Sequence, residues 1–403
     1  MKKSTIVIVA AALLISASMG TRQTFGLFID PFSSDRAIPL TMIALAMALH
    51  NLVWGLAQPF AGAAADRYGA MPVVIAGSFA FAAGLALAAV APSGLLLVVG
   101  LGLLVGIGIS CTTFGVVLTA VGRAAPPEKR SMAMGLASAG GSLGQVALVP
   151  LAQAITEASG LSTSLFVLAL VVVAVAPFGF LLDGRNSGPA PVEELRAPPL
   201  SEVVSLAIHH SGYRLLTIGF FTCGFQLAFI ATYLPGYLLL CQMPSGLGAT
   251  ALALIGLFNM VGTWACGWLG GRFRQQYVLV WLYLVRAVTI GAFVVLPKSG
   301  PLVMGFAAIM GLTWLGTVPL TSGWIAKVFG TRHLGTLFGI CFFSHQIGSF
   351  LGAWSGGVAF DLTGSYSLVW GVTALAGLFA AAVNLPIKDR PASGPVPAAA
   401  GAS

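Results

Sequence analysis

The sequence predicts an all-α integral membrane protein in which twelve transmembrane helices form two pseudo-symmetric six-helix bundles. Three observations predict this class. Of the 403 residues, 58% are hydrophobic and only 7% are charged, whereas a soluble domain carries about 25% charged residues. The apolar residues fall into twelve stretches, each long enough to cross a hydrocarbon core of about 30 Å. Finally, the two halves of the chain share motifs at one constant offset.

The twelve apolar stretches are marked off along the chain, and each predicts one helix. Lys2 and Lys3 precede an apolar run that continues through Ile29 without a convincing cleavage site, so we expect an uncleaved first helix. The alternating pattern of an outer-membrane barrel is absent from the sequence. The predicted spans are 5–30, 40–65, 71–91, 94–120, 131–157, 162–183, 213–241, 247–271, 275–297, 300–326, 333–361 and 365–387.

The basic residues are distributed unevenly between the predicted loops. With the N-terminus inside, fifteen of the 19 Lys and Arg residues fall in cytoplasmic segments, and only Arg36 and Lys298 fall on the opposite side. This positive-inside bias predicts that both termini are cytoplasmic. It also accounts for the net charge of +8 without a nucleic acid, so we expect no such partner.

One long polar segment separates the sixth and seventh spans. It carries four prolines and the acidic pair Glu193 and Glu194, a composition typical of a linker. The C-terminal tail is rich in Ala, Pro, Gly and Ser, which favours disorder. The predicted organisation is an N-terminal half at 1–183, a cytoplasmic linker at 184–212, a C-terminal half at 213–390 and a disordered tail at 391–403.

The two halves resemble each other. Residues 62–67 after the second span align with residues 267–272 after the eighth, at an offset of 205. Three further matches have an offset of 204 and indicate an internal duplication. They are Gly135 with Gly339, Gly144 with Gly348, and Ser159-Gly160 with Thr363-Gly364.

The loop after the second span, GAAADRYG at 62–69, resembles the cytoplasmic loop motif of the major facilitator superfamily. Together with the twelve-span layout, the resemblance covers essentially the whole chain. It implies alternating access, in which two halves rock about a substrate site near the midplane. It also places Asp66, Arg67 and, in the second repeat, Arg272 at the cytoplasmic gate. The further basic residue that is usual in this motif is absent after position 69.

Three other segments narrow the resemblance. GTRQTFGLF (20–28), GFFTCGFQ (219–226) and FSHQIG (343–348) are similar to bacterial members of the monocarboxylate-transporter group, relatives of oxalate/formate exchangers. The resemblance implies a monocarboxylate substrate and location in a bacterial inner membrane. Well-studied members carry an arginine one turn beyond an acidic residue or Asn in the eighth span. Here Thr263 takes that place after Asn259.

Four ionisable residues fall deep inside the predicted spans: Arg22, Arg286, His50 and His345. Such a group costs at least about 2.5–3.5 kcal/mol at the bilayer centre, so each needs a specific role. No Asp or Glu of the sequence falls at midplane depth. Because a planar guanidinium binds a carboxylate through two hydrogen bonds, we expect the substrate to be the missing counter-ion.

Each of these residues also has a structural interpretation. Arg22 is the preferred anion ligand, although it could instead hydrogen-bond carbonyls or reach Asp30. For Arg286 a structural tie is preferred, because ninth helices of the superfamily usually pack outside the cavity. His345, and less strongly His50, could bind a proton near neutral pH or serve in packing alone.

Polar residues at midspan positions complete the predicted lining. Amide side chains recur on spans that are expected to face the cavity. Taken alone, each more commonly holds neighbouring helices together, but as a set they indicate a polar lining. Tyr233, two residues before Pro235, is a candidate wall or outer gate. The predicted substrate-binding set is Arg22, Gln23, Gln145, Gln226, Tyr233, Asn259 and Gln346.

These residues favour a secondary transporter of a small organic anion, a monocarboxylate moved with a proton. Exchange of two carboxylates and export of a neutral metabolite or drug are the alternatives. An intramembrane enzyme or a non-transporting sensor is remote, because the predicted spans contain no paired acids and the sequence has no His-Glu-x-x-His helix or ATP-binding loop. We expect no enzymatic activity, no cofactor, no metal, and a monomer in the lipid bilayer.

Overall fold

The computed structural model describes residues 3–182 and 199–389. Ten of its stretches are helical, long and apolar enough to cross a membrane. One of these, Pro127–Leu181, holds two helices because the backbone turns at Gly160. The 29-residue helix Leu40–Tyr68 adds a further crossing, since a rise of about 1.5 Å per residue makes it longer than the hydrocarbon core. The described residues therefore form the twelve spans that the sequence predicts.

We label the spans α1–α12 in chain order. The first six are α1 Lys3–Gln23, α2 Leu40–Tyr68, α3 Ala70–Val90, α4 in the consecutive pieces Gly94–Leu97, Val98–Leu104, Val105–Thr112 and Phe114–Ala124, and α5 and α6 as the parts of Arg130–Val175 before and after Gly160. The last six are α7 Ser211–Leu240, α8 Ser245–Arg272, α9 Gln275–Val295, α10 in two pieces, Gly300–Thr313 and Thr317–Phe329, α11 Leu334–Thr363 and α12 Ser367–Asn384. The helix Leu200–His209, which precedes α7, is called the linker helix.

The two halves are packed in the same way. In the first half α1 packs chiefly against α5, and in the second α7 packs chiefly against α11. A Cβ atom at Gly144 of α5 would collide with the carbonyl oxygen of Ser16, and one at Gly348 of α11 with that of Phe221. Because these glycines are 204 residues apart, the duplication places the same small residue at the same helix crossing.

The fifth and eleventh spans also end alike. Gly160 has φ 83° and Gly364 has φ 65°, values that glycine adopts without the steric cost of a Cβ. Both positions belong to the duplicated pairs found in the sequence. The part of the linker at 183–198 and the tail at 390–403 lie outside the described residues.

Contacts between the halves are concentrated at one side of the bundle. We call the side where α1 begins and α12 ends the terminal side. Across the halves α2 packs against α11 and α5 against α8, with Gly62 against the backbone of Gly335 and Gly135 against that of Gly267. Inter-half hydrogen bonds of the described residues lie between midspan and the terminal side. The described conformation is therefore closed at the terminal side.

Two equivalent spans are discontinuous. The helix of α4 breaks at Thr113, which has φ −121° and ψ −152°, and the helix of α10 breaks between Thr313 and Thr317. Thr113 and Thr317 are again 204 residues apart. A break leaves backbone carbonyls without helical partners, so neighbouring side chains must satisfy them.

Candidate functional site

Arg22 lies in the last turn of α1 and is partly buried. Its Nη2 donates to Oδ1 of Asn51 on α2 at 2.7 Å, and its Nη1 lies 3.5 Å from Oε1 of Gln23. The guanidinium carbon is 5.2 Å from the centre of the Trp54 ring, a cation–π contact. The buried Nε has no hydrogen-bond partner among the described residues. Amides and an indole therefore hold this cation, and its Nε–H remains available as a hydrogen-bond donor.

No carboxylate among the described side chains forms an ion pair with Arg22. The side chain of Asp30, the acidic alternative considered above, lies outside those described. The surroundings that are described leave the positive charge of Arg22 uncompensated. The ion pairs between described side chains are Arg123–Asp66, Arg274–Asp389 and Lys327–Asp389.

Neighbouring amides fix the position of the Trp54 ring. Trp54 Nε1 donates to Gln58 Oε1 at 3.1 Å. Gln58 Nε2 donates to the carbonyl oxygen of Ser110 at 2.9 Å, just before the break in α4. The buried Gln58 thus gives a hydrogen bond to a buried helix carbonyl beside the break, and it orients the indole that contacts Arg22.

Gln23 and Gln145 lie together beside Arg22. Gln23 Nε2 donates to Gln145 Oε1 at 3.3 Å and joins α1 to α5. A Cβ atom at Gly256 of α8 would lie 3.3 Å from Gln145 Nε2. These two amides therefore lie where both halves meet, as expected for a lining between them.

A continuous set of polar contacts, which we call the cross-bundle connection, joins Arg22 to His345. Asn51 accepts from Arg22 through its side chain, and its backbone carbonyl accepts from Gln346 Nε2 of α11 at 3.2 Å. Gln346 Oε1 in turn lies 3.2 Å from His345 Nδ1. Two predicted site residues on opposite halves, Arg22 and His345, are thus linked through Asn51 and Gln346.

Aromatic rings underlie the cross-bundle connection on its terminal side. The His345 ring stacks on Phe342 with 5.4 Å between ring centres and 8° between planes, and it lies 4.8 Å from Phe220. Phe342 also contacts Trp54 across the halves at 4.9 Å. This apolar layer separates the polar site from the terminal side in the described conformation.

His50 lies in a different environment from His345. Its buried ring packs edge-on against Phe25 at 5.6 Å and beside Trp54 at 6.3 Å. Neither ring nitrogen makes a hydrogen bond of good geometry with the described residues. The polar groups near the ring are Arg22 and the backbone of Leu101. His50 is therefore near Arg22 but outside the cross-bundle connection.

Arg286 and Gln226 form a separate cluster within the second half. The fully buried Arg286 donates through Nη1 to Cys223 Sγ at 3.2 Å and to Gln226 Oε1 at 3.4 Å. Its Nη2 donates to the carbonyl oxygens of Thr313 and Trp314 at the break in α10. A cation at the C-terminal end of a helix satisfies carbonyls that the break leaves free. The structure does not bring this pair to Arg22.

Asn259 and Tyr233 occupy two further places. Asn259 Nδ2 donates to Ser142 Oγ on α5 at 2.7 Å, and its Oδ1 accepts from Thr263 Oγ1 at 3.0 Å and from the amide of Leu315 at 2.9 Å. This amide therefore joins the halves and supports the break in α10. The Tyr233 hydroxyl donates to the carbonyl of Ala353 within the second half.

Asp66 joins the halves at the terminal side. It accepts hydrogen bonds from the amides of Gly335 and Thr336 at 3.2 and 2.8 Å, and from the Thr336 hydroxyl at 2.8 Å. Arg123 of α4 lies 3.0 Å from the same carboxylate. With 2% of its side chain exposed, Asp66 places a negative charge at the start of α11, where helix geometry favours one.

Arg123 was missed by sequence reasoning, although it is a basic residue at the terminal end of α4. Besides Asp66, it donates to the carbonyls of Thr331 and Arg332 at 3.2 and 2.6 Å. Of the predicted gate arginines, Arg67 lies over the Tyr68 ring at 5.2 Å and Arg272 over the Trp268 ring at 5.0 Å.

The match to known proteins covers most of the chain. Residues 11–353 match the family model described as Major Facilitator Superfamily. The chain belongs to this superfamily. The chain is 25% identical to the uncharacterized MFS-type transporter YcxA of Bacillus subtilis strain 168, with 92% of this chain and 91% of that protein covered.

Other superfamily members carry more specific names. Monocarboxylate transporter 13 of Rattus norvegicus is 26% identical, with 92% of this chain and 86% of the relative covered. The oxalate:formate antiporter of Oxalobacter formigenes is 20% identical, with 95% and 92% covered. These matches confirm the resemblance drawn from the sequence motifs: the chain is a member of the superfamily and is similar to monocarboxylate transporters and the oxalate:formate antiporter.

Solved structures of the superfamily share the fold. The fucose:proton symporter of E. coli has a TM-score of 0.70 at 16% identity, with 94% of this chain and 97% of that chain covered. A bacterial homologue of the iron transporter ferroportin, in an outward-facing state, has a TM-score of 0.71 at 18% identity, with 94% and 98% covered. The major facilitator fold of two six-helix bundles is confirmed.

Asn51 was also missed as a site residue. It is the central residue of the cross-bundle connection, with Arg22 on its side chain and Gln346 on its carbonyl. The signal that could have identified it is a second polar residue directly after His50 in a largely apolar span.

Proposed function

We propose that this superfamily member transports a small monocarboxylate together with a proton by alternating access. One observation carries the proposal: the guanidinium of Arg22 is held by Asn51 and Trp54 and is in no ion pair with a described carboxylate. A substrate carboxylate supplies the missing charge and accepts two parallel hydrogen bonds. The names of the monocarboxylate and oxalate relatives support this chemistry.

His345 is the proposed proton carrier. The cross-bundle connection gives a physical route for coupling, because an anion that takes the Arg22 donors releases Asn51 and thereby alters the contacts of Gln346 with His345. A proton bound with the anion makes the load of the site neutral. The loaded and the empty protein then carry the same charge, so a transport cycle does no work against the membrane potential.

The terminal side is proposed to be cytoplasmic, in a bacterial inner membrane, because of the positive-inside distribution. The described conformation then faces outward. Asp66, with Arg123, is the proposed cytoplasmic gate. Arg67 carries positive charge on the next residue, and Arg272 holds the corresponding place in the second half. Opening toward the cytoplasm requires the contacts between Asp66 and Thr336 to break.

Uptake into proteoliposomes tests the proposal. Labelled lactate, pyruvate, formate and oxalate are supplied with and without an inward proton gradient. We expect at least one monocarboxylate to accumulate only with the gradient, and Arg22→Gln to abolish its uptake. The matched control is Lys298→Gln. Lys298 is a basic residue on the opposite side that donates to backbone carbonyls and lies over the Phe293 ring, outside the cross-bundle connection.

Three outcomes separate the alternatives. Counterflow between two carboxylates with no response to pH would favour exchange over symport. Transport of neutral compounds with no carboxylate competition would contradict the anion site. Normal carboxylate uptake by a folded Arg22→Gln variant would contradict the role of Arg22.

A further inference from the structure

Two adjoining cavities lie at the terminal side, away from the Arg22 site. The first, which we call the junction cavity, has a volume of about 560 Å³ and is lined by both halves. The second, the flanking groove, has a volume of about 630 Å³ and is lined by the end of α8 and the start of α9. Residues 272–274 line both cavities, so the polar and the apolar space lie side by side.

The junction cavity is basic. Four cations line it, Arg130, Arg272, Arg274 and Lys327, with Glu128 as the lining acid. Asp389 pairs with Lys327 at 2.7 Å and with Arg274 at 3.6 Å. This leaves an excess of positive charge at the level where lipid headgroups lie, and such pockets between helices attract anionic headgroups.

Two buried polar side chains in the junction cavity lack partners. Ser131 and Gln275 are 4% and 6% exposed, and neither Ser131 Oγ nor Gln275 Oε1 has a hydrogen-bond partner among the described residues. Burying such groups unpaired costs about 1–3 kcal/mol each. A hydroxyl can donate to a phosphate oxygen, and an amide oxygen can accept from a headgroup hydroxyl.

Helix ends add to the attraction for an anion. Ser131 lies in the first turn of α5 and Gln275 is the first residue of α9, and neither helix has a side-chain cap. The first N–H groups of both helices therefore carry partial positive charge near the cavity.

The flanking groove is apolar and faces outward from the bundle. Phe273 is 59% and Trp281 is 68% exposed, and Leu269, Tyr277 and Val278 complete the wall. In a membrane-spanning chain such a groove contacts lipid. Its position directly beside the junction cavity matches the shape of a phospholipid, with a charged head and an apolar chain.

We propose that one anionic phospholipid binds here, with its phosphate in the junction cavity beside Arg272 and Ser131 and an acyl chain along the flanking groove. The cavity needs Ser131 from the first half and residues 270–275 from the second. It therefore exists only while the terminal side is closed. Bound lipid stabilises that conformation, whatever the transported substrate is.

Thermal melts of the delipidated protein in neutral detergent test the site. Phosphatidylglycerol is titrated against phosphatidylcholine and against inorganic phosphate, and native mass spectrometry counts bound lipids. We expect phosphatidylglycerol alone to raise the melting temperature, with one tightly bound molecule. Arg272→Gln should weaken its binding about fivefold, the effect of one basic residue, and Ser131→Ala and Trp281→Ala should also weaken it.

The matched control is Arg214→Gln. Arg214 is an exposed arginine on the same side and lies outside both cavities. It should bind phosphatidylglycerol as the wild type does. Equal effects of the two phospholipids would overturn the proposal. So would full stabilisation by inorganic phosphate, which would indicate a free-anion site. Should Arg272→Gln fail to fold, the comparison of the two phospholipids on the wild type still tests whether an anionic headgroup is required.

Discussion

Asp66 on α2 and Thr336 on α11 are joined by two hydrogen bonds of 2.8 Å, one from the amide and one from the hydroxyl of Thr336. The carboxylate is almost fully enclosed and is also paired with Arg123 at 3.0 Å. Hydrogen bonds to a charged group contribute about 1.5–3 kcal/mol each. This contact therefore favours the conformation that is closed at the terminal side.

Replacing Asp66 by Asn should open the terminal side. The variant loses the charge that pairs with Arg123, and its amide group presents donors where backbone N–H groups already point. Loss of about 1.4 kcal/mol changes a two-state ratio tenfold, so we expect at least a tenfold rise in the open fraction. Pulsed electron resonance between spin labels at Lys129→Cys and Arg214→Cys measures it.

Asp35→Asn is the control for this experiment, because Asp35 lies on the opposite side in an exposed contact with Ser34. It should leave the distance distribution unchanged. An unchanged distribution for Asp66→Asn would show that apolar packing of α2 on α11 suffices to hold the closed state.

The fold could be predicted from the sequence because each span carries its own apolar signal and the paired glycines identify the duplication. The breaks in α4 and α10 could not. Thr113 and Thr317 resemble other span residues, and the carbonyls freed nearby are satisfied by side chains from other helices, Gln58 and Arg286. Such a break depends on tertiary contacts that one sequence does not encode locally.

The site was predictable in part for a related reason. The sequence shows that Arg22 lies deep within a predicted span, where a charged side chain is unusual. Gln145 and Gln226 are both deep amides, yet Gln145 meets Gln23 while Gln226 bonds the carbonyl of Thr373 and Arg286. Which neighbour an amide meets depends on the rotation of its helix, and single-sequence patterns leave that rotation open.

Substitution of Arg286 should lower stability, whereas substitution of Arg22 should affect binding. Arg286→Gln removes donors from the carbonyls of Thr313 and Trp314 at the break, and each unpaired buried group costs about 1–3 kcal/mol. We expect a melting temperature several degrees lower in detergent. Arg22→Gln, whose site is partly exposed, should melt close to the wild type. The reverse order would assign Arg22 to the structural role.

Acid should weaken the docking of the linker helix on α7. His210 accepts from the amide of Tyr213 at 3.3 Å through Nδ1 and packs on Phe329 at 5.4 Å, and burial lowers the pKa of His210 below its usual 6.5. Below pH 6.5 the unfolded chain binds more protons than the folded chain, so stability falls as the pH falls; above 6.5 this contribution is constant.

Melting temperatures at pH 7.5 and 5.5 measure the effect. The wild type should lose more stability at pH 5.5 than His210→Asn, since Asn can cap α7 without titrating. All other residues are the same in the two proteins, so their contributions cancel in the comparison. An equal loss in the two proteins would exclude His210 as the sensitive group.

Coupling to protons should depend on His345. In His345→Gln we expect exchange of anion across a pre-loaded membrane to persist, because exchange requires no net release of a proton. Accumulation driven by a pH gradient should be lost. His50→Gln is the comparison, since His50 lies outside the cross-bundle connection. Unchanged gradient-driven uptake by His345→Gln would show that His50 or the substrate itself carries the proton.

Arg22→Lys should weaken anion binding although the charge is kept. An ammonium group cannot give a carboxylate the two parallel hydrogen bonds of a guanidinium. It also lacks the second nitrogen with which Arg22 reaches Asn51 while its guanidinium carbon stays over the Trp54 ring. Loss of one charge-assisted hydrogen bond amounts to about 1.5–3 kcal/mol, or about 10- to 100-fold in affinity.

The measurement is the affinity of the best carboxylate found in the uptake assay, on detergent-purified protein with folding checked by thermal melt. Arg22→Gln should bind more weakly than Arg22→Lys, because an anion then meets only neutral partners. Asn51→Ala adds a second test: it frees Nη2 of Arg22, so a competing partner of the anion disappears while the charge remains. If both Arg22 variants bind within about twofold of the wild type, a change of about 0.4 kcal/mol, the anion site lies elsewhere and Arg286 becomes the residue to test.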